Sequence, residues 1–202
     1  MMVRAAVQNT RRQILDTARP IIASKGFSAV GLSEVLLAAG VPKGSFYHWF
    51  SSKEHFGEAL LEHHFEAYLH QVEASLGAVG LSAPDRLAAF FVQWHRAQSN
   101  HDPELRCLVV KLSAEVCDLS EPMREALQRG IAQVLDRIQI CLEVGVDAGE
   151  LCDRLDPREV AHRLYQQWIG ATLLSLIQRS PTPLDQALAQ THLWIESQGV
   201  VR

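Results

Sequence analysis

Apolar residues along this chain recur every three or four positions, not in alternation, which predicts helices and no convincing strand. Residues 10–25 form the first periodic stretch, with Ile14, Leu15, Ala18, Ile21 and Ile22 on one face. Pro20 falls inside it and predicts a kink or a broken hydrogen bond, and Gly26 ends it. Phe27, Val30 and Leu32 then plug the space before a short helix at 33–39, capped by Ser33 and ended by Gly40. Pro42 suits the first turn of a second short helix, roughly 43–50. Two short helices joined by a tight turn containing glycine make a helix-turn-helix.

Further on, Ser51 and Glu54 match a capping box, opening a long helix to about residue 76 with Phe56, Leu60, His63 or His64, and Tyr68 inward. A glycine-rich break at 77–84 follows. Helices are then expected from 84 to a break at 101–103, at 104–117, and from Ser120 through Leu142. Asp156 with Pro157 opens another to about 179, and a last one covers 184–197. The expectation is an all-α chain of about nine helices. The expected division is residues 1–50 around the helix-turn-helix and residues 51–202 as an all-helical body.

The second short helix divides its labour. Phe46 and Phe50 lie four apart and share a face with Trp49, so they can bury. Lys43, Gly44, Ser45, Tyr47 and His48 are left outward: a cation, a bare backbone and three hydrogen-bonding groups. That set suits phosphates and base edges of a major groove. The competing reading is an ordinary polar surface helix.

Composition changes the picture modestly. The chain has 202 residues, 48% hydrophobic and 21% charged, as expected of a folded soluble protein. No apolar run is long enough for a membrane span and no secretory signal opens the chain, so a cytoplasmic location is expected. The net charge of −4 hides an asymmetry. Residues 1–60 carry +3 and the remainder −7, a basic head that a polyanion would attract. Cysteines at 107, 117, 141 and 152 have neither zinc-site nor redox-motif spacing, so free thiols are expected. The nine histidines are scattered, and no metal or cofactor is expected. No phosphate-binding loop, catalytic carboxylate pair or nucleophilic triad stands out, which argues against an enzyme.

Both C-terminal helices are amphipathic. Leu164, Trp168, Ala171, Thr172 and Ser175, followed by Leu176, form one stripe, with Gly170 allowing close approach; Leu188, Thr191 and Ile195 form another. In a monomer these make a packed hairpin; in a homodimer, two hairpins make a four-helix bundle. A reader with one small helix-turn-helix per chain generally needs two copies on a palindrome, which favours the dimer. Phe90, Phe91, Trp94, Tyr165 and Trp168 can line a pocket for a hydrophobic ligand, or can be plain core.

The first helix, the Gly26–Phe27 turn, the run Gly-Val-Pro-Lys-Gly-Ser-Phe-Tyr-His-Trp-Phe at 40–50, Ser52–Lys53 and the helical body together resemble the TetR family of one-component transcriptional regulators. The segment 107–124, Cys-Leu-Val-Val-Lys-Leu-Ser-Ala-Glu-Val-Cys-Asp-Leu-Ser-Glu-Pro-Met-Arg, is similar to that of family members that sense electrophiles and oxidants. The resemblance implies a homodimeric repressor of detoxification genes that holds a double-stranded, palindromic operator until its body senses a signal. Its dimer interface would be built by the last two helices. It places DNA contacts on Ser33, Lys43, Gly44, Ser45, Tyr47, His48 and Lys53. Lys53 and Tyr47 are assigned to phosphates. Lys43 and His48 are candidates for base edges, His48 for phosphate as well.

Cys107 is the candidate sensor. It is expected in the first turn of its helix, where free amides and the dipole favour a thiolate, with Arg106 before it and Lys111 one turn on. A small buried core cysteine is the other reading. Cys117 is a helper or merely packs, and Cys141 and Cys152 look structural. The resemblance would supply a lysine in the penultimate helix; Leu176 stands there instead. Two modes of release follow: modification of Cys107 by an electrophile or oxidant, or reversible binding of a hydrophobic inducer.

Overall fold

A computed structural model describes residues 2–99 and 107–198. Among these residues it holds nine α-helices and no strand: α1 Met2–Lys25, α2 Leu32–Ala39, α3 Lys43–Trp49, α4 Lys53–Leu76, α5 Ala83–Ser99, α6 Leu108–Leu119, α7 Glu121–Asp147, α8 Pro157–Gln178 and α9 Thr182–Ser197. No described helix is long and apolar enough to cross a membrane.

Helix α1 starts about two turns earlier than its apolar periodicity indicated, and it runs through Pro20 as one segment. Ile14, Leu15, Ala18 and Ile22 are buried on both sides of that proline and hold the helix through it. Two caps differ from expectation. Gly31, not Ser33, precedes α2, and no side chain caps it; Ser33 sits inside the first turn. At α4 the cap is Ser52, whose Oγ accepts from the His55 amide at 3.1 Å, while Ser51 turns to the His55 ring. A cap that spacing alone did not indicate opens α5: Ser82 Oγ accepts from Asp85 N and donates to the Asp85 carboxylate at 2.6 Å. The expected cap at Asp156 is present, its Oδ1 accepting from the amides of Arg158 and Glu159 at 2.9 and 3.1 Å.

The chain forms two compact units, each made of two stretches of sequence. One comprises residues 1–66 and 102–130; the other comprises 67–101 and 131–202. Packing explains why the first unit extends past the helix-turn-helix. Phe56 of α4 is fully buried against Phe46 and Phe50, with ring centroids 5.5 and 5.2 Å away. Gly57 leaves room for Met123 and Phe27, and Gly130 leaves room for the ring of Phe65. A β-carbon at Gly130 would lie 2.1 Å from that ring, so only glycine permits this approach of α7 to α4.

The second unit is built on an aromatic cluster. Phe91 stacks on Trp168 at 5.0 Å, and Trp94 lies 5.9 Å from Trp168 and 5.7 Å from Tyr165. The two indole N–H groups donate to Thr172 and Thr191, each at 3.1 Å, so no polar edge of this core is left unmet.

Candidate nucleic-acid interface

Helix α3 is seven residues long, too short to be stable by itself. Its inner face holds it. Phe46 and Phe50 are fully buried and meet each other at 5.1 Å, while Trp49 is only half-buried. The helix before it ends at Gly40, whose φ of 64° is the left-handed conformation that lets its own amide and that of Val41 return to α2 carbonyls. Pro42 then enters α3 with φ of −62°. Gln13 of α1 donates to Ala39 O at 2.8 Å and ties the turn down.

The outer face matches the expected set. Lys43, Gly44, Tyr47 and His48 are exposed and Ser45 is partly so. Tyr47 is 55% exposed although its ring packs at a right angle to that of Phe46. Nothing lies within 4 Å of where a β-carbon of Gly44 would be, leaving the backbone there open to close approach. Ser33 is exposed on α2.

Lys53 opens α4. A cation at a helix N-terminus is opposed by the helix dipole, and here two contacts hold it: Ser28 O at 3.3 Å and the face of the Phe27 ring at 5.0 Å.

The cysteine region departs from expectation. Cys107 is the N-cap of α6 and not part of its first turn. Cys107 is half-buried, and its thiol is desolvated. That desolvation pushes the thiol pKa up, outweighing the backbone amides of Val110 and Val109 that favour the anion. The charge of Lys111 acts on Glu115, one turn along α6. Arg106 lies outside the described residues, as do the expected helix start at 104 and the break at 101–103. Cys117 is exposed, not packed, and sits near Arg124. Cys141 is buried, its thiol pushed up to about 11 by desolvation.

The expected dimer stripe lies inside the chain. Leu164, Trp168, Ala171, Thr172, Ser175 and Thr191 are buried, and Leu188 and Ile195 are half-buried. Trp168 and Thr172 meet Phe91 and Trp94 of α5, so this part of the stripe packs within the chain. The large apolar residues that α8 and α9 leave exposed are Leu173, Leu174, Leu176, Ile177 and Leu193, of which Leu176 was expected with the stripe. The first four recur at three- and four-residue spacing around Gly170, so they could have been read as a second apolar face. The aromatics considered for a pocket are the packed cluster described above.

A buried aromatic knot presenting a short helix with one cation, an open glycine and three hydrogen-bonding side chains defines a helix-turn-helix regulator. Comparison with known families agrees. Residues 14–60 match the family of bacterial regulatory proteins, tetR family, and residues 83–191 match the tetracyclin repressor-like C-terminal domain. The chain is 42% identical over 181 residues to the HTH-type transcriptional repressor NemR of Escherichia coli K12, covering 90% of this chain and 91% of that one. It is 30% identical over 178 residues to the HTH-type transcriptional repressor DhaR of a Mycobacterium species, covering 88% of each. The crystal structure of reduced E. coli NemR superposes with a TM-score of 0.85, over 91% of this chain and 95% of that one. The chain belongs to the TetR family of transcriptional regulators.

Proposed function

We propose that the protein is a homodimeric repressor that holds a palindromic operator through the α3 helices of its two protomers and releases it when Cys107 is modified. The observation that carries DNA binding is the outer face of α3, exposed at Lys43, Gly44, Tyr47 and His48 over a fully buried Phe46 and Phe50. Lys43 and His48 read base edges, and Lys53 and Tyr47 take phosphates. Ser33, Gly44 and Ser45 complete the contact. The site of action is the cytoplasm, where the operator is, and detoxification genes are the targets. Similarity to the NemR repressor over nine-tenths of the chain supports repression.

Cys107 caps the helix that a signal would move. At rest, desolvation keeps its sulfur protonated. When Sγ adds to the β-carbon of an unsaturated carbonyl, the thiol proton ends on the α-carbon. The adduct then occupies the cap, where Lys111 N now bonds to Cys107 O at 3.1 Å. An oxidant acting on the same sulfur disturbs the same cap. A duplex from the gene's own upstream region, followed by fluorescence anisotropy, tests this. N-ethylmaleimide should release DNA from the wild type and from Cys117→Ser, and fail to release it from Cys107→Ser. Release that persists in Cys107→Ser would sink the sensor assignment.

A further inference from the structure

The turn between α1 and α2 is gripped from two sides. On one side, the carboxylate of Glu115, on α6, accepts the Phe27 amide at 3.0 Å and the Ser28 amide at 2.5 Å. Gly26 makes the approach possible: its φ is +93°, and a β-carbon there would lie 3.1 Å from Glu115 Oε2. Partial desolvation, the largest single influence, pushes the Glu115 pKa up. The bonds from Ser28 and Phe27, with the Lys111 charge, bring it below the ordinary carboxylate value. On the other side, the same two residues hold Lys53, through Ser28 O at 3.3 Å and the Phe27 ring at 5.0 Å. A continuous path of short contacts thus runs from a carboxylate on α6 to the ammonium at the start of α4, all within one compact unit.

We propose that Glu115 is a positioning residue for operator binding: by pinning the amides of Phe27 and Ser28, it holds the Lys53 ammonium where it meets a DNA phosphate. This rests on the reading of Lys53 as a phosphate contact. Among the described residues, no other side chain accepts from those two amides. Without Glu115 they turn to water, the turn gains freedom, and Lys53 loses a fixed carbonyl and ring against an unfavourable helix end. Because α6 is the helix that Cys107 caps, a disturbance of that cap reaches the DNA-facing lysine by the same path.

Salt dependence separates positioning from mere stability. Each phosphate contact contributes about 0.9 to the slope of log K against log salt, or about 8-fold in affinity between 1 M and 0.1 M salt. Full-length wild type, Glu115→Ala, Lys53→Ala and the double variant would be titrated with the duplex from the gene's own upstream region at several salt concentrations. Lys53→Ala should lower the slope by about 0.9 per protomer, Glu115→Ala should lower it by a comparable amount, and the double variant should match Lys53→Ala alone. Glu115→Gln keeps one accepting oxygen but aims an NH2 group at an amide N–H, so it should fall between wild type and Glu115→Ala. It also serves if Glu115→Ala loses helix content by circular dichroism. An unchanged slope in both Glu115 variants, with binding weakened equally at every salt concentration, would overturn the proposal. So would additive losses in the double variant. An unchanged slope in Lys53→Ala would instead overturn the phosphate reading on which the proposal stands.

Discussion

Replacing Ile177 by glutamate should turn a dimer into a monomer. Leu173, Leu174, Leu176 and Ile177 are 46, 47, 41 and 68% exposed on α8, and Leu193 is 64% exposed on α9. Together they leave roughly two to three whole apolar side chains in water per protomer, about 4–8 kcal/mol if covered. Two-fold pairing counts that twice, against an association cost of about 4–15 kcal/mol. The balance permits a dimer at cellular concentrations, with little to spare. Ile177 is the most exposed residue of the α8 set, so its loss removes about 1–2 kcal/mol of burial on each side. Desolvating the introduced carboxylates adds to that on both protomers. A total of at least about 4 kcal/mol corresponds to a roughly thousandfold weaker dimer.

Sedimentation velocity across the micromolar range reads this directly, with circular dichroism confirming that the helices remain. Val79→Glu is the control, because Val79 is fully exposed in the 77–82 segment, outside both C-terminal helices. It should leave the association state unchanged. An Ile177→Glu protein that stays dimeric at wild-type concentrations would refute the assignment of this face. Equal dissociation of Val79→Glu would show that the effect is one of net charge.

Two further outcomes concern protons. The Cys107 thiol pKa is raised by desolvation, so its alkylation by iodoacetamide should keep accelerating with pH beyond about 8.5, where an ordinary cysteine levels off; mass spectrometry of a Cys117→Ser protein follows it, and a plateau at neutral pH would contradict the burial argument. His64 has its pKa lowered to about 3, by desolvation first and then by the charges of Arg19 and His63. Its neutral form is favoured by folding, so its contribution is complete above about pH 6.5 and is lost as pH falls toward 3, at up to about 1.4 kcal/mol per pH unit. Urea denaturation of wild type and His64→Leu between pH 7 and 4 should show a steeper acid loss in the wild type, and parallel curves would count against it.

Much of this fold is legible before any coordinates, because helical periodicity and helix-ending residues are local signals. Gly40 and Asp156 act on their immediate neighbours as their chemistry indicates, while Pro42 stands just outside the first turn expected of it, as the N-cap of α3. Phe46 and Phe50 against Lys43, Tyr47 and His48 is a separation that a seven-residue helix cannot blur. Some misplacements are of one residue, where two candidates compete. Ser51 and Ser52 both offer a hydroxyl near the start of α4, and which one caps depends on where the chain leaves Phe50. What is illegible is contact across the chain. Nothing local marks Glu115 as the acceptor for amides 88 and 87 residues away. Nothing local shows that desolvation at Cys107 outweighs its helix end, or that Lys111 attends to Glu115.

Helix α8 shows where pattern reading meets a physical limit. Its last turns carry Trp168, Ile169, Ala171, Thr172, Leu173, Leu174, Ser175, Leu176 and Ile177, so apolar side chains point in almost every direction. Such a helix must be covered from more than one side, but periodicity cannot say which side its own chain covers. Side-chain chemistry can. Trp168 needs a partner for its N–H as well as space for its ring, and the buried hydroxyl of Thr191 supplies that partner within the chain. Thr172 and Ser175 return their own hydroxyls to carbonyls of α8, at 2.7 and 2.8 Å, and so lie against the core without an orphaned group. The leucines and Ile177 need only to be dry. The polar-edged stripe is therefore the one that the chain's fixed geometry must satisfy, and the purely aliphatic face is the one that can be left to a second copy.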